Sequence, residues 1–451
     1  MTNQMACPIH VENGPIGKTL LHFALPVLLS QLLQEFYNIA DCAVVGRFGG
    51  EFALAAVGSS GLLMSMMINF FVGFSSGVSV ITANLFGAWK YGDLKKVITS
   101  VTRLAILTGV VMTFLISCIA DRMLVLLHCP ADVLPHGSAY LHICILGLTA
   151  QLIYNVGTAI LRSLGDTRTP LYLFFISSVA NLLLDLLLVA GLSMGIRGAA
   201  LATAASQWFL AIMILVRMSR MDPAYALDLT GPRLQMAGLL RILHMGIPAG
   251  LQAFFMSLSS MLVQIVINSF GASAIAGMVV YAKLEGCLYL PSFAYGIALT
   301  GFVGQNHGAG RTDRIQESVR LSLRTMCAVM IPLALFLMAI APAALRIFTP
   351  DERILANALE AVRITFPVYI VYAVNQVYLG AIKGLGNTTW PMVCTLLCYS
   401  LFRVLWCHLL IPVFPTMRVV YLSYDVSFFL MAALLLPRYR KMLAAAPAGK
   451  T

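Results

Sequence analysis

Runs of about 20 apolar residues recur along the whole chain, each closed by Gly, Pro or charged residues. A run of that length makes a helix long enough to cross the hydrocarbon core of a bilayer. The pattern predicts twelve helices, over 24–45, 57–85, 99–120, 139–160, 171–190, 198–217, 246–268, 276–303, 325–345, 361–381, 392–412 and 419–436. Two of them, 57–85 and 276–303, exceed one crossing and are expected to tilt or to run past the membrane. The expected fold class is an all-α polytopic membrane protein.

The pattern repeats at nearly one spacing. LRSLGDTRTP (Leu161 to Pro170) aligns with IKGLGNTTWP (Ile382 to Pro391) at an offset of 221. FGAWK from Phe86 aligns with HGAGR from His307 at the same offset. Pro26 aligns with Pro248, and FGG from Phe48 with FGA from Phe270, at 222. The chain therefore divides into two six-helix lobes, 1–217 and 242–451, joined by a polar linker, 218–241, with two prolines. Six helices per repeat leave both repeats in the same orientation, related by an axis along the membrane normal. Two similar bundles that rock about a central site suit alternating access, which a simple channel does not need.

Composition narrows the class further. The 451 residues are 60% hydrophobic and 10% charged, with a mean hydropathy of +0.88. Soluble domains carry about 25% charged residues, so a water-soluble fold is excluded. The net charge of +11 does not form a nucleic-acid patch. Counted by predicted side, twenty Lys and Arg fall on one face of the membrane and seven on the other, with Lys283 and Arg403 inside spans. That bias predicts that both termini lie in the cytoplasm. Residues 1–17 are polar, lack a basic start and do not read as a signal peptide. The ten Cys form no C-x-x-C pair; most sit in apolar runs as small buried side chains.

The candidate chemistry lies in polar residues inside the spans. Asp41 sits within the first, where a carboxylate costs about 2.5–3.5 kcal/mol on insertion scales. Gln34, Asn38 and Asp41 share a helix face at spacings of four and three, with Tyr37 beside them. Asp185 lies in the fifth span within NLLLD, and Asn181 is one turn earlier on the same face. The sixth span carries Thr203, Ser206 and Gln207 on one face. Two carboxylates, an amide and a hydroxyl suit a hard cation such as Na⁺. They suit H⁺ equally, because two acids in an apolar setting share a proton. Each polar residue alone also serves as an ordinary helix-packing contact. An intramembrane acid is a functional candidate by default.

The second repeat lacks this set: Val263, Phe402 and Trp406 stand opposite Asp41, Asn181 and Asp185. It has its own charged residues, Lys283, Glu285, Arg403 and Asp425, with His408 nearby. For Glu285 and Asp425 two readings stay open, a second functional acid or a structural pair with Arg403 or Lys283. GFSSG (Gly73 to Gly77) fits G-x-S-x-G, the mark of a hydrolase elbow, but lies mid-helix, where small residues packing on a neighbour account for it better. No enzyme is expected, and an intramembrane hydrolase is the weakest alternative.

With GPIGKTLLHFALPVLLSQLLQEFYNIADCAVVGRFG at its start, RSLGDTRTP after the fourth span, NLLLD in the fifth and their echoes in the second half, the chain resembles the MATE (multidrug and toxic compound extrusion) transporters. The likeness covers about residues 14–440 and is greatest to the prokaryotic, DinF- and MepA-like branch. It implies a fold of twelve helices in two lobes with a V-shaped cavity, and export of organic, mostly cationic, compounds in exchange for Na⁺ or H⁺. The branch's cation site maps onto Asp41, Asn181, Asp185 and Thr203. Other branches use acids in the seventh and tenth helices, which have none here at mid-span. Gln34, Tyr37, Asn155, Gln252, Met256 and Glu285 are the expected lining of the substrate cavity. No cofactor is expected beyond the coupling ion. The expected partners are small organic substrates and membrane lipids, with no nucleic acid, and the expected form is a monomer. A lipid-linked sugar flippase shares the architecture and is the nearer alternative, but those carry more Arg and Lys in their cavities.

Overall fold

The computed structural model describes residues 14–48, 53–126, 132, 134–231 and 236–445. The start of the first polar stretch, Gly49 and Gly50 of the first FGG, residues 232–235 of the expected linker, and Lys450 lie outside them. Among the described residues the structure is helical throughout, without a strand. The helices are α1 (Ile16–Phe48), α2 (Ala53–Gly87), α3 (Tyr91–Leu126), α4 (Leu134–Ile145), α5 (Leu148–Ser163), α6 (Arg168–Asp185) and α7 (Gly195–Ser219) in the first half. The second half holds α8 (Met236–Asn268), α9 (Ala272–Gly308), α10 (Thr312–Arg346), α11 (Glu352–Thr365), α12 (Tyr369–Gly384), α13 (Thr389–Cys394), α14 (Phe402–Leu410) and α15 (Met417–Ala445). Two short π-helical segments intervene, Leu186–Gly191 and Thr395–Leu401.

Eleven of these spans are long and apolar enough to cross a bilayer, and α4 with α5 makes a twelfth. The helix expected over 139–160 is thus not straight; it bends by 44° at Leu146–Gly147. The reason is local. Gly147 lies against the Gln207 amide oxygen, where a Cβ would come within 1.9 Å. The Leu146 carbonyl, left free by the break, accepts a 3.1 Å bond from Trp208 Nε1. At the equivalent place in the second half, Phe366–Val368 forms a single 3₁₀ turn around Pro367, between α11 and α12.

Two units divide the chain. The first comprises Leu29–Gly250; the second comprises Leu251–Thr451 together with the start of α1 up to Leu28. Within the second unit α9 is the inner element, 61% buried over its span, whereas α10 is 22% buried. In the first unit α3 is likewise 22% buried and exposes Leu107, Val110, Phe114 and Leu115, a face that only lipid would solvate without cost.

The sequence repeat has a structural cause. After α5, Gly165 takes φ +94°, and the Asp166 N–H bonds back to Leu161 O at 2.9 Å. After α12, Gly386 takes φ +88°, and the Asn387 N–H bonds back to Ile382 O at 3.2 Å. This is the left-handed helix stop that favours glycine. The next side chain then caps the following helix: Asp166 Oδ1 accepts from Thr169 N at 3.0 Å, and Asn387 Oδ1 from Trp390 N at 2.9 Å. So L-G-[DN]-T, with its proline three residues on, encodes one stop–start turn twice. Asp166 also binds Arg217 at 2.9 Å, a link Asn387 has no charge to copy. The α2–α3 and α9–α10 turns repeat the same stop, with Lys90 N to Leu85 O at 3.0 Å and Arg311 N to Asn306 O at 2.9 Å. There Gly310 holds φ +72°, but its counterpart is Trp89, at φ +57°.

Four outcomes are expected from thermal unfolding in detergent. Asn387→Ala should cost about 1 kcal/mol as a lost cap, and Asp166→Ala more, about 2–4 kcal/mol, because it also strands Arg217. Trp89→Gly should be neutral or stabilising by up to about 1 kcal/mol, while Gly310→Val should destabilise by about 1–2 kcal/mol.

Candidate functional site

The first unit brings two acids together below its surface. Asp41 comes from the last third of α1, half-buried. Asp185 is the last residue of α6 and is fully buried, as is Asn181 one turn before it. The carboxyls of Asp41 and Asp185 are near enough for each to act on the other. From α7, Thr203 sits beside Tyr37 of α1, and Tyr37 feels both acids.

Several polar atoms of this cluster lack partners of good geometry. Asp41 Oδ1, both Asp185 oxygens, Asn181 Nδ2 and Thr203 Oγ1 are buried and make no hydrogen bond of good geometry. Ionised carboxylates only accept, so two that abut cannot satisfy one another. Buried polar groups are as a rule bonded, and a cluster of orphans marks the place of an ion, proton or water. The donor set (two carboxylates, an amide and a hydroxyl) fits a hard cation or a shared proton, and nothing in it is soft.

Two features frame the acids. Immediately after Asp185 the chain passes into a π-helical turn, Leu186–Gly191, with Leu192 N bonded to Leu187 O at 2.8 Å. Such wide turns re-aim the residues beside them. A small apolar cluster of Val44, Val45, Val189, Ile196, Ala199 and Ala200 then packs with Tyr140 and Cys144 of α4. Its α1 and α6–α7 members lie within a few residues of Asp41, Asp185 and Thr203 in the chain, so the acids have an apolar neighbour. Tyr140 and Cys144 both feel Asp41, and neither stands out in the sequence as a site residue. Their signal is weak: two modest polar groups one turn apart in an apolar run.

The other expected residues are spread out. Gln34 and Tyr37 are half-buried on α1, and Asn38 is exposed. Tyr37 meets Phe174 edge-on at 6.2 Å, and Phe174 stacks on Tyr154 at 6.4 Å, giving an aromatic shelf beside the acids. Asn155, half-buried on α5, donates to Gln151 O. On α7, Ser206 Oγ and Gln207 Oε1 are also unpartnered. In the second unit Gln252 is buried and bonds Thr395 at 3.1 Å, and Met256 is half-buried. Glu285 is half-buried and accepts the Tyr369 hydroxyl at 2.8 Å; it forms no ion pair with Arg403 or with the exposed Lys283. Val263, opposite Asp41, is buried, and Trp406, opposite Asp185, donates to Val419 O. The GFSSG glycine Gly77 packs on the Met245 carbonyl, where a Cβ would come within 2.4 Å. That contact is helix packing.

The MatE family model matches the chain twice, over residues 26–187 and 248–409, so both ends of the match are displaced by 222. A probable multidrug resistance protein of Bacillus subtilis, YoeA, is 27% identical over 84% of this chain and 83% of its own length. A probable multidrug resistance protein of Thermotoga maritima, NorM, is 27% identical over 85% and 83%. Among solved structures, an outward-facing multidrug resistance MATE family transporter of the MOP superfamily superposes with a TM-score of 0.89 over 97% of this chain and 98% of that one, at 20% identity.

The acid pair makes a stability prediction. In Na⁺-free alkaline buffer, Asp185→Asn should raise the thermal midpoint, by an amount corresponding to about 1–3 kcal/mol, because it removes one of two facing charges and supplies a donor. A fall of that size would mean that donors already hold both carboxylates.

Proposed function

The chain belongs to the MatE family of multi-pass membrane transporters, and from that premise we propose that it exports organic cations by alternating access in exchange for Na⁺ or H⁺. The observation that carries this reading is the pair Asp41 and Asp185, with unpartnered oxygens, in a buried polar cluster. Such a pair is costly while both acids are charged. A cation bound between them offsets the cost, so the site has a reason to take one up. The relatives' names, multidrug resistance proteins, agree with export.

In the proposed cycle the coupling ion is held by Asp41, Asn181, Asp185 and Thr203. Binding draws α1 toward α6 and α7. Pro26 lies inside α1 and removes one of its backbone bonds, so the helix has a place to bend. Drawing α1 inward narrows the space beside Gln34, Tyr37 and Asn155, and substrate leaves outward. Gln252, Met256 and Glu285 line the substrate path contributed by the second unit. The inward cation gradient drives the cycle, with about 2.3 kcal/mol per charge per 100 mV plus the concentration term. The chain works in the bacterial inner membrane with both termini in the cytoplasm. A flippase for pyrophosphate-linked sugars is less favoured, because an anionic cargo would meet two carboxylates and no cluster of basic residues.

Bacteria stripped of their own pumps and expressing this chain should accumulate less ethidium than cells carrying Asp41→Asn at equal expression. The wild-type effect should fade when the coupling ion's gradient is collapsed. Full export by Asp41→Asn would remove the coupling role of the site.

A further inference from the structure

The outer face of α10 changes character along its length. Ile331 and Leu335, one turn apart, are 48% and 63% exposed, and only lipid would solvate them without cost. Arg320 and Arg324 lie about three turns earlier on the same stripe, and Glu317 lies one turn before Arg320. All three charged side chains are exposed. One helix face thus passes from charge to hydrocarbon, as a helix does where it enters a bilayer.

A cavity of about 430 Å³ opens on the charged part of this face, with Glu317, Arg320, Leu321 and Arg324 in its lining. The start of α1 braces it. Leu321 packs on Gly17, where a Cβ would come within 3.3 Å, and Arg314 Nη2 donates to Gly14 O at 2.7 Å. Asp313, also in the lining, is taken by Arg311 at 3.1 Å. Among the described residues Glu317, Arg320 and Arg324 form no ion pair. Arg320 acts on the Tyr439 hydroxyl, and the Tyr439 ring lies 5.4 Å from that of Tyr378. Arg438 sits over Trp390 at 5.4 Å. Tyr and Trp beside basic side chains mark the headgroup level of a membrane.

We propose that this groove holds a glycerophospholipid with a primary-amine headgroup. Its phosphate lies between Arg320 and Arg324, its ammonium on Glu317, and an acyl chain along Ile331 and Leu335. Two guanidinium groups one turn apart present paired donors to a phosphate. A lipid with an uncharged alcohol headgroup satisfies the arginines and sets its net negative charge against Glu317. A trimethylammonium headgroup has no N–H to donate to that carboxylate. A free phosphate leaves the apolar stripe bare. The inference concerns the bilayer around the protein and does not depend on what cargo is exported.

The test is lipid retention by the purified full chain in detergent, read by native mass spectrometry. Dioleoyl phosphatidylethanolamine, phosphatidylglycerol and phosphatidylcholine are supplied in equal amounts. The wild type should retain the ethanolamine lipid over the other two. Arg320→Gln combined with Arg324→Gln should weaken that retention by about tenfold or more. Glu317→Gln should erase the preference over phosphatidylglycerol and keep both lipids bound. Circular dichroism reports that each variant is folded, and if the double variant is not, Glu317→Gln decides alone. Equal retention of the three lipids by the wild type, a preference for phosphatidylglycerol, or a preference unchanged in the folded variants would each overturn the site. Displacement of the lipid by an equal concentration of glycerophosphoethanolamine, which has no acyl chains, would overturn the lipid as its occupant.

Discussion

Two carboxylates that face each other, with oxygens that lack hydrogen-bond partners, constrain the first unit. Asp41 and Asp185 come from helices far apart in sequence, and each lies in a largely apolar span. Such a pair is tolerable only if the surroundings supply a cation or a proton. The rest of the site follows from that need. Asn181 and Thr203 add an amide and a hydroxyl. The π turn after Asp185 sets the end of α6, and the Val44–Val189–Ala200 cluster places apolar side chains beside the site. An arrangement that is uncomfortable when empty of positive charge is what a coupling site requires, because ion uptake must change the energy of the protein to do work.

The same skeleton carries different chemistry in the second unit. The turns repeat down to single bonds: Asp166 and Asn387 cap equivalent helices, and Gly165 and Gly386 stop equivalent ones. The chemical positions do not repeat. Val263 and Trp406 replace the acids, and charge moves instead to Glu285, Arg403 and Asp425. Backbone geometry is shared because each repeat must build the same helix bundle. Side chains inside the bundle are free to diverge.

Much of this is legible in the sequence. Span length and hydropathy locate the crossings, since an apolar run of about 20 residues matches the thickness of the bilayer core and little else demands it. The offset of 221–222 exposes the repeat, and the cost of burying a charge singles out Asp41 and Asp185. What escapes is tertiary. No 3.6-residue pattern reveals the π turn at Leu186–Gly191 or the bend at Gly147, which depends on Gln207 and Trp208 across the bundle. The approach of Tyr140 and Cys144 to Asp41 needs α4 placed against α1. Arg403 is visible as an intramembrane charge, but its clasp of Tyr399 and Tyr424 spans two helices and a π segment.

If ion and cargo exclude one another through the acid pair, binding of one must release the other. Ion release from the purified protein would be measured as saturating ethidium is added, with ²²Na⁺ for sodium and a pH indicator in weakly buffered solution for protons. Release of about one ion equivalent per protein is expected, of one species or the other, absent in Asp41→Asn. If ethidium binds at saturation while neither ion leaves, the two ligands bind independently, and the acid pair does not couple them.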